Sequence, residues 1–336
     1  MKKLLIYILI FQCFLISCQK NMDKYEWMPT ESSPKMYPMN IHQGTLVLED
    51  GSNVYIPSSG ISNEIWGHIG STHVQGSSLK AIPVKLELTW ASFMEKKFYK
   101  GSWDLPVDKI KELFNKGLIN WRTNVKENYS YIVVGCAPGG VVVVWMYGDD
   151  QQVEIARFQA KETTISMAEY VPGNPTISSD EFFDISSSVP AAYENMKKKG
   201  IPYGVWDIYR EKYSWKPEIQ IPGYTLDHVI FEMFNGEMET LFGNTLTNNQ
   251  FKSRAIPRYF SFLFSNSKGD KYVFEVKYAD EDEMLELFKN ADKNKPIEII
   301  LQMNGDLNDK KLVFKQEGKE ILIKKIDMDN FWKYEE

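Results

Sequence analysis

Three cysteines, four histidines and no surplus of basic residues leave 336 residues with little material for reactive or nucleic-acid-binding chemistry. The formal charge is −6, from 39 Lys and Arg against 45 Asp and Glu. An acidic chain without a basic patch or basic-aromatic interleaving is a poor ligand for phosphate backbones, so no nucleic-acid partner is expected. A Gly-x-Ser-x-Gly elbow, a phosphate loop, a His-Glu-x-x-His helix and a dinucleotide fingerprint are also missing. The common hydrolase, nucleotide and zinc chemistries thus lack their usual carriers, and neither cofactor nor metal is expected. The longest apolar run, Leu4 to Ile16, would make a helix of about 20 Å, too short for a hydrocarbon core of about 30 Å.

What is present begins with that run. Lys2 and Lys3 precede it, and Leu15-Ile16-Ser17-Cys18 closes it. A short positive segment followed by an apolar core has the build of a secretory signal. Its end resembles the lipobox of bacterial lipoproteins. That resemblance implies a signal peptide over residues 1–17 and a Cys18 that becomes the lipidated, palmitate-bearing first residue. Residues 18–35 then read as lipidated Cys and polar tether. Cleavage removes Lys2 and Lys3 and leaves the chain more acidic, so the lipid alone is expected to hold it on a membrane. Gln19 stands where enterobacterial lipoproteins kept at the inner membrane carry Asp, which implies a cell-envelope protein of the outer membrane. Gln19-Lys20 resembles the start of a surface-export signal without its acidic pair, so periplasmic and surface orientations both stay open. With Cys13 in the signal and Cys18 lipidated, Cys136 has no intrachain partner.

The chain also repeats itself. Lys24-Tyr25-Glu26-Trp27-Met28-Pro29 returns as Lys212-Tyr213-Ser214-Trp215-Lys216-Pro217, and Ala81-Ile82-Pro83 returns as Ala255-Ile256-Pro257. From Ala81 to Phe114 the second offset holds without a gap, with eight identities in 34 positions. Leu86, Leu88 and Trp90 alternate with polar residues at strand period, and Phe260, Phe262 and Phe264 take the same phase. Val107, Ile110, Leu113 and Phe114 share one helical face after Pro106. Met284, Leu287 and Phe288 do so after Asp280, a candidate N-cap. Strands in runs with one principal helix per copy predict an α+β fold of two related modules with mainly antiparallel sheets. The expected divisions are a first module over 36–160, a connector over 161–211 with a short helix from Pro190 to Lys199, and a second, diverged module over 212–336. Hairpin turns are expected at Gly148-Asp149 and Glu317-Gly318.

The first copy resembles the bacterial lipoprotein family of domain of unknown function 2931. The residues that carry the resemblance include Trp27-x-Pro29, Ser33-Pro34, Tyr37-Pro38, Gly44-x-Leu46, Asp50-Gly51 and Trp66-Gly67. They continue with Pro83, Trp90-x-Ser92-x-x-Glu95, Phe98-Tyr99-x-Gly101, Leu105-Pro106, Gly135-x-Ala137-Pro138-Gly139-Gly140, Trp145 and Gly148. Coverage runs from about residue 24 to 160. The second copy departs from it: Gly269 aligns with Glu95, Phe264 with Trp90, and no Pro-Gly-Gly follows its helix. The resemblance implies an envelope lipoprotein with no established activity and, for a subset of members, a toxin-immunity role.

Few chemical candidates remain. Cys136 beside Pro138-Gly139-Gly140 could serve as a nucleophile, but no base is tied to it, and a small buried residue at a strand end fits better. His68 and His73 match no zinc spacing and read as solvated loop residues. Glu95 and Asp104 flank a strand among aromatics, as a glycosidase pair would, yet strand-end charges account for them. Trp90 and Trp145 are in strand phase and read as core. Trp66, in a loop, reads as a surface contact. No catalytic residue is expected, and the expected interaction surface is Trp66, Gly67, Pro138, Gly139 and Gly140. Together these readings predict a non-enzymatic lipid-anchored protein that binds a protein partner in the envelope. The alternatives are an envelope hydrolase and a glycan-binding module.

Overall fold

A computed structural model describes residues 23–57, 60–328 and 330–335. The expected signal peptide, 1–17, and the expected lipid site, Cys18, lie outside the described residues. The tether expectation fails from residue 25 onward. Tyr25–Glu26 pairs with Leu79–Lys80, and β1 (Met28–Ser32) lies parallel to a later strand at the edge of a large sheet. An edge position tolerates Pro29, which is why a polar, Pro-containing stretch can still be a strand. Trp27 pins the segment: it is buried, and its indole Nε1 donates to Ala81 O at 3.3 Å.

The chain continues through β2 (Met39–Leu48), β3 (Asn53–Tyr55), β4 (Pro83–Ser92) and β5 (Lys97–Asp104). Leu86, Leu88 and Trp90 are buried while Glu87 is exposed, as the strand period predicts. Helix α1 (Val107–Lys116) buries Ile110 and Phe114, and Pro106 sits just ahead of it. Next come β6 (Tyr131–Ala137), β7 (Val141–Gly148), β8 (Gln151–Gln159) and β9 (Lys161–Thr163). The β7–β8 turn is made by Asp149 and Asp150, both at positive φ, one residue later than expected.

The connector is not loose. It holds α2 (Met167–Tyr170), α3 (Ser179–Phe183), α4 (Pro190–Lys199) and α5 (Val205–Ile208). Helix α4 spans the predicted residues and stops at Gly200, at φ 69°. Ile165, Tyr170, Phe183 and Ala192 pack with Ala91 and Phe98 of β4 and β5, opposite the face that carries Trp90 and Tyr99.

The second half runs β10 (Tyr213–Gln220), β11 (Tyr224–Met233), β12 (Met238–Phe242), α6 (Gly243–Thr247), β13 (Lys252–Arg254), β14 (Pro257–Asn266) and β15 (Lys271–Val276). It ends with α7 (Glu281–Lys289), β16 (Ile297–Gln302), β17 (Lys311–Gln316), β18 (Lys319–Ile323) and β19 (Phe331–Tyr334). Asp280 caps α7 as expected, accepting from Glu283 N at 3.0 Å.

Three large sheets result. A nine-stranded sheet has the order β1-β6-β7-β8-β12-β11-β14-β15-β19 and therefore draws strands from both halves. One five-stranded sheet, β9-β5-β4-β2-β3, belongs to the first half, and another, β13-β10-β16-β17-β18, belongs to the second. Within β6 and β7, Ile132, Val134, Val142 and Val144 face the core shared with β2 and β4. Val133, Val143 and Trp145, on the other face, join the core that contains Trp215, Phe231 and Phe260 of the second half. Burial on both faces explains the continuous run from Val141 to Met146, since neither face needs a polar residue. Among the described residues no helix is long and apolar enough to cross a membrane.

Candidate functional site

The residues of the family signature meet in two places. The first is built on two turns. Strand β4 leaves Glu95 in the bend to β5, and β6 turns into β7 through the single 3-10 turn Pro138–Gly140. Gly139 and Gly140 stand at φ 78° and 75°, where L side chains are strained. A Cβ on Gly140 would also lie 2.8 Å from Ala160 O and 2.9 Å from the Tyr99 ring. The Glu95 carboxylate closes over this turn. Gly139 N donates to both of its oxygens at 3.1 Å, the Tyr99 hydroxyl donates to Oε1 at 2.8 Å, and the Tyr203 hydroxyl at 2.9 Å.

Tyr203 comes from the connector and remains 61% exposed, with its ring against Gly139. Burial, then the hydrogen bond and charge of Glu95, push the Tyr203 phenol up to about 12 and raise Tyr99 as well. A carboxylate that accepts three donors is an anchor for the turn. Its expected companion Asp104 lies at the far end of β5, about 23 Å of extended chain from Lys97, well beyond the 5–10 Å of a glycosidase pair.

The second meeting place is the seat of Trp66. This side chain is only 4% exposed, which overturns its expected place on an interaction surface. It packs edge-on to Trp145 at 4.9 Å, and both rings rest where a Cβ on Gly135 would intrude at 2.5–2.7 Å. Gly67 is buried too: its carbonyl accepts from Gln152, and a Cβ there would lie 2.6 Å from Gly236 Cα. Pro138 and Gly140 are likewise buried, so of the five expected surface residues only Gly139 is partly open. A loop Trp next to Gly reads as exposed because its cover, Gly135, Trp145 and Arg258, lies about 70 to 190 residues away in sequence.

His68 is not a free loop histidine. Its Nε2 meets Glu232 Oε2 at 2.9 Å, Arg258 Nη2 reaches the same oxygen at 3.1 Å, and Arg258 Nη1 donates to Trp66 O at 3.0 Å. Burial alone would raise the Glu232 carboxyl, but His68 and Arg258 outweigh it and hold the pKa below the usual range. Neither Glu232 nor Arg258 carried a sequence signal, because each needs the other half to define its role. His73 faces Gln75 instead, at 3.3 Å. Cys136 is fully buried, and burial pushes its thiol well up, which removes the thiolate a nucleophile needs. Among the described residues no three His, Cys, Asp or Glu side chains group as a metal ion would require.

A family model described as protein of unknown function (DUF2931) matches residues 17–204, more than half of the chain. The match runs past residue 160 through the connector and ends beside Tyr203, so the outer donor to Glu95 falls inside it. No curated protein and no solved structure matches the chain significantly.

Proposed function

The chain belongs to the DUF2931 family, and on that premise we propose that it is a lipid-anchored cell-envelope protein that binds a protein partner and performs no catalysis. The observation that carries this reading is the Glu95 anchor. The signature carboxylate accepts from Gly139, Tyr99 and Tyr203, three donors that fix it over the turn. Such a residue shapes a surface instead of moving a proton. The partner surface then centres on Gly139 and exposed Tyr203, with Pro138 and Gly140 as its buried support. A toxin-occluding immunity protein is one specific form of this reading.

We infer further that the two halves descend from one module. Trp215 Nε1 donates to Ala255 O at 2.8 Å, as Trp27 does to Ala81. Arg254 Nη1 donates to Trp215 O at 2.6 Å, as Lys80 Nζ does to Trp27 O at 3.1 Å. Tyr25 packs on Phe114 and Tyr213 on Phe288. Parallel pairing joins β1 to β6 and β10 to β16. Strand β2 skips register at His42 and again beyond Val47; β11 does so at Asp227 and beyond Glu232. Shared irregularities of this kind support common descent better than eight identities do.

The test uses the full chain as cells make it. Metabolic labelling with a palmitate analogue should mark the chain and should fail to mark Cys18→Ser. Capture of one stoichiometric partner from envelope extracts or neighbouring-strain secretomes should be lost with Tyr203→Ala and kept with Cys136→Ala and His68→Ala. A hydrolytic activity abolished by Glu95→Ala would overturn the binding reading. A gene deletion that leaves survival against neighbouring strains unchanged would overturn its immunity form.

A further inference from the structure

Strands β8 and β12 meet at a single residue pair, Gln152 with Met238. The nine-stranded sheet is therefore continuous in order yet open beside that pair, between the end of α1 and the β12–α6 bend. The opening is a cleft of about 860 Å³, within the size range of small-molecule sites. Its apolar walls include Leu113, Leu118, Val153, Met238 and Phe242. Its charge runs against that of the chain. Lys116, Lys212, Lys252 and Arg254 line it with only two carboxylates, Glu237 and Glu239, in a protein of formal charge −6.

The internal pairs do not use up these cations. Glu239 takes Arg254 at 2.6 and 2.9 Å and Lys252 at 2.9 Å, so two cations share one carboxylate. Glu237 takes Lys212. Lys116, in the last turn of α1, has neither a hydrogen bond nor an ion pair among the described residues. Two positive charges beside an apolar wall attract an anionic head and accept a hydrocarbon body. We propose that this cleft binds an anionic amphiphile, a carboxylate or phosphate monoester head on an apolar chain. The site lies at the seam and is independent of the Glu95 anchor and of the protein-binding reading.

Calorimetric titration of residues 19–336, the chain left once the expected signal and lipid site are removed, tests this with octanoate, octyl phosphate, octanol and inorganic phosphate. Saturable one-to-one binding of octanoate or octyl phosphate is expected, and the tighter of the two identifies the head. Octanol and inorganic phosphate should bind at least tenfold more weakly. Lys116→Glu should weaken the anion at least tenfold, whereas Lys319→Glu, an equal charge change outside the cleft, should not. Met238→Trp, which fills the opening, should abolish binding while the fold persists by circular dichroism. Absence of saturable binding, equal binding of octanol, or indifference to both Lys116→Glu and Met238→Trp would each overturn the proposal.

Discussion

Trp27 and Trp215 hold matching strands with unequal support. In the first half the indole reaches Ala81 O at 3.3 Å and Lys80 alone backs the Trp carbonyl. In the second the indole bond is 2.8 Å, and Arg254 couples the Trp carbonyl to the Glu239 carboxylate. The first half carries what the second lacks. Gly269 stands where Glu95 aligns, with open space around it, and the Pro138–Gly140 bend gives way to a loop over 303–310. What both halves share holds the sheets together. On the proposed reading, the Glu95 anchor, which only one half keeps, is where a specific role would concentrate.

The largest expected break in this comparison comes from the shared lock. Arg254→Ala removes a buried guanidinium and leaves half-buried Glu239 beside Lys252 alone, which should cost toward the lower end of the about 3–5 kcal/mol of breaking a buried pair. Lys80→Ala removes one charged hydrogen bond to a backbone carbonyl, worth about 1–2 kcal/mol. Urea midpoints of the two variants should differ accordingly. Equal losses would mean that the two locks bear equal weight.

Next in size is the crossing of the halves. Gly67 sits at φ 88° with its missing Cβ 2.6 Å from Gly236 Cα, backbone against backbone. Gly67→Ala should cost on the order of 3 kcal/mol, from strain plus forced separation. Gly269→Ala, at φ 86° with nothing within 4 Å, should cost only the roughly 1–2 kcal/mol of the left-handed conformation. Thermal melts of the pair isolate the contact from the dihedral.

His228 gives the second half a pH dependence. Burial, then Arg122, lower its pKa to about 4, its ring stacks on Trp121 at 4.0 Å, and its Nε2 has no partner among the described residues. The folded chain keeps it neutral while the unfolded chain protonates it near 6.5. Stability is therefore full above pH 6.5 and falls as pH drops toward 4, by up to roughly 3 kcal/mol. His228→Phe should flatten that slope. An unchanged slope between pH 6.5 and 4 would overturn this assignment, because Glu232, with its carboxyl held below the usual 4.5, loses its contribution only in a lower window.

Periodicity made the strands from Leu86 to Trp90 and from Phe260 to Phe264 legible, as well as both principal helices and the Asp280 cap, because each depends on neighbours in sequence. The signature also put Glu95 and Pro138-Gly139-Gly140 in view. It could not show that they touch, since Gly139 N and the Glu95 carboxylate are 44 residues apart. Trp66 reads as exposed for the same reason: its cover includes Arg258 and Trp145, and no local pattern reports a long-range contact. The single nine-stranded sheet was hidden too, because a seam of one residue pair leaves no periodic trace. Tyr25 to Ser32 reads as a tether because edge strands share the polar, Pro-tolerant composition of linkers.

The smallest expected effect bears most directly on the difference between the halves. Glu95→Gln keeps the shape but sets an amide NH₂ or a single oxygen where two carboxylate oxygens accept from Gly139, Tyr99 and Tyr203. The stability loss should be about 1–3 kcal/mol, with a second and cleaner signature in the phenols. Tyr203 stands at about 12, raised in part by the Glu95 hydrogen bond and charge. Removing that charge should bring its titration down toward 10, followed by phenolate absorbance with Tyr203→Phe identifying the signal. The linkage follows the same sign. A raised phenol contributes stability that is present below pH 10 and lost as pH climbs toward 12, and the variant should keep only the weaker alkaline dependence that burial supplies. Gly269→Ala, at the aligned bend of the second half, should leave tyrosine titration unchanged. If Tyr203 titrates alike with and without the carboxylate, Glu95 does not set the anchor, and the two halves differ in sequence there without differing in the physics that would make the first a binding surface.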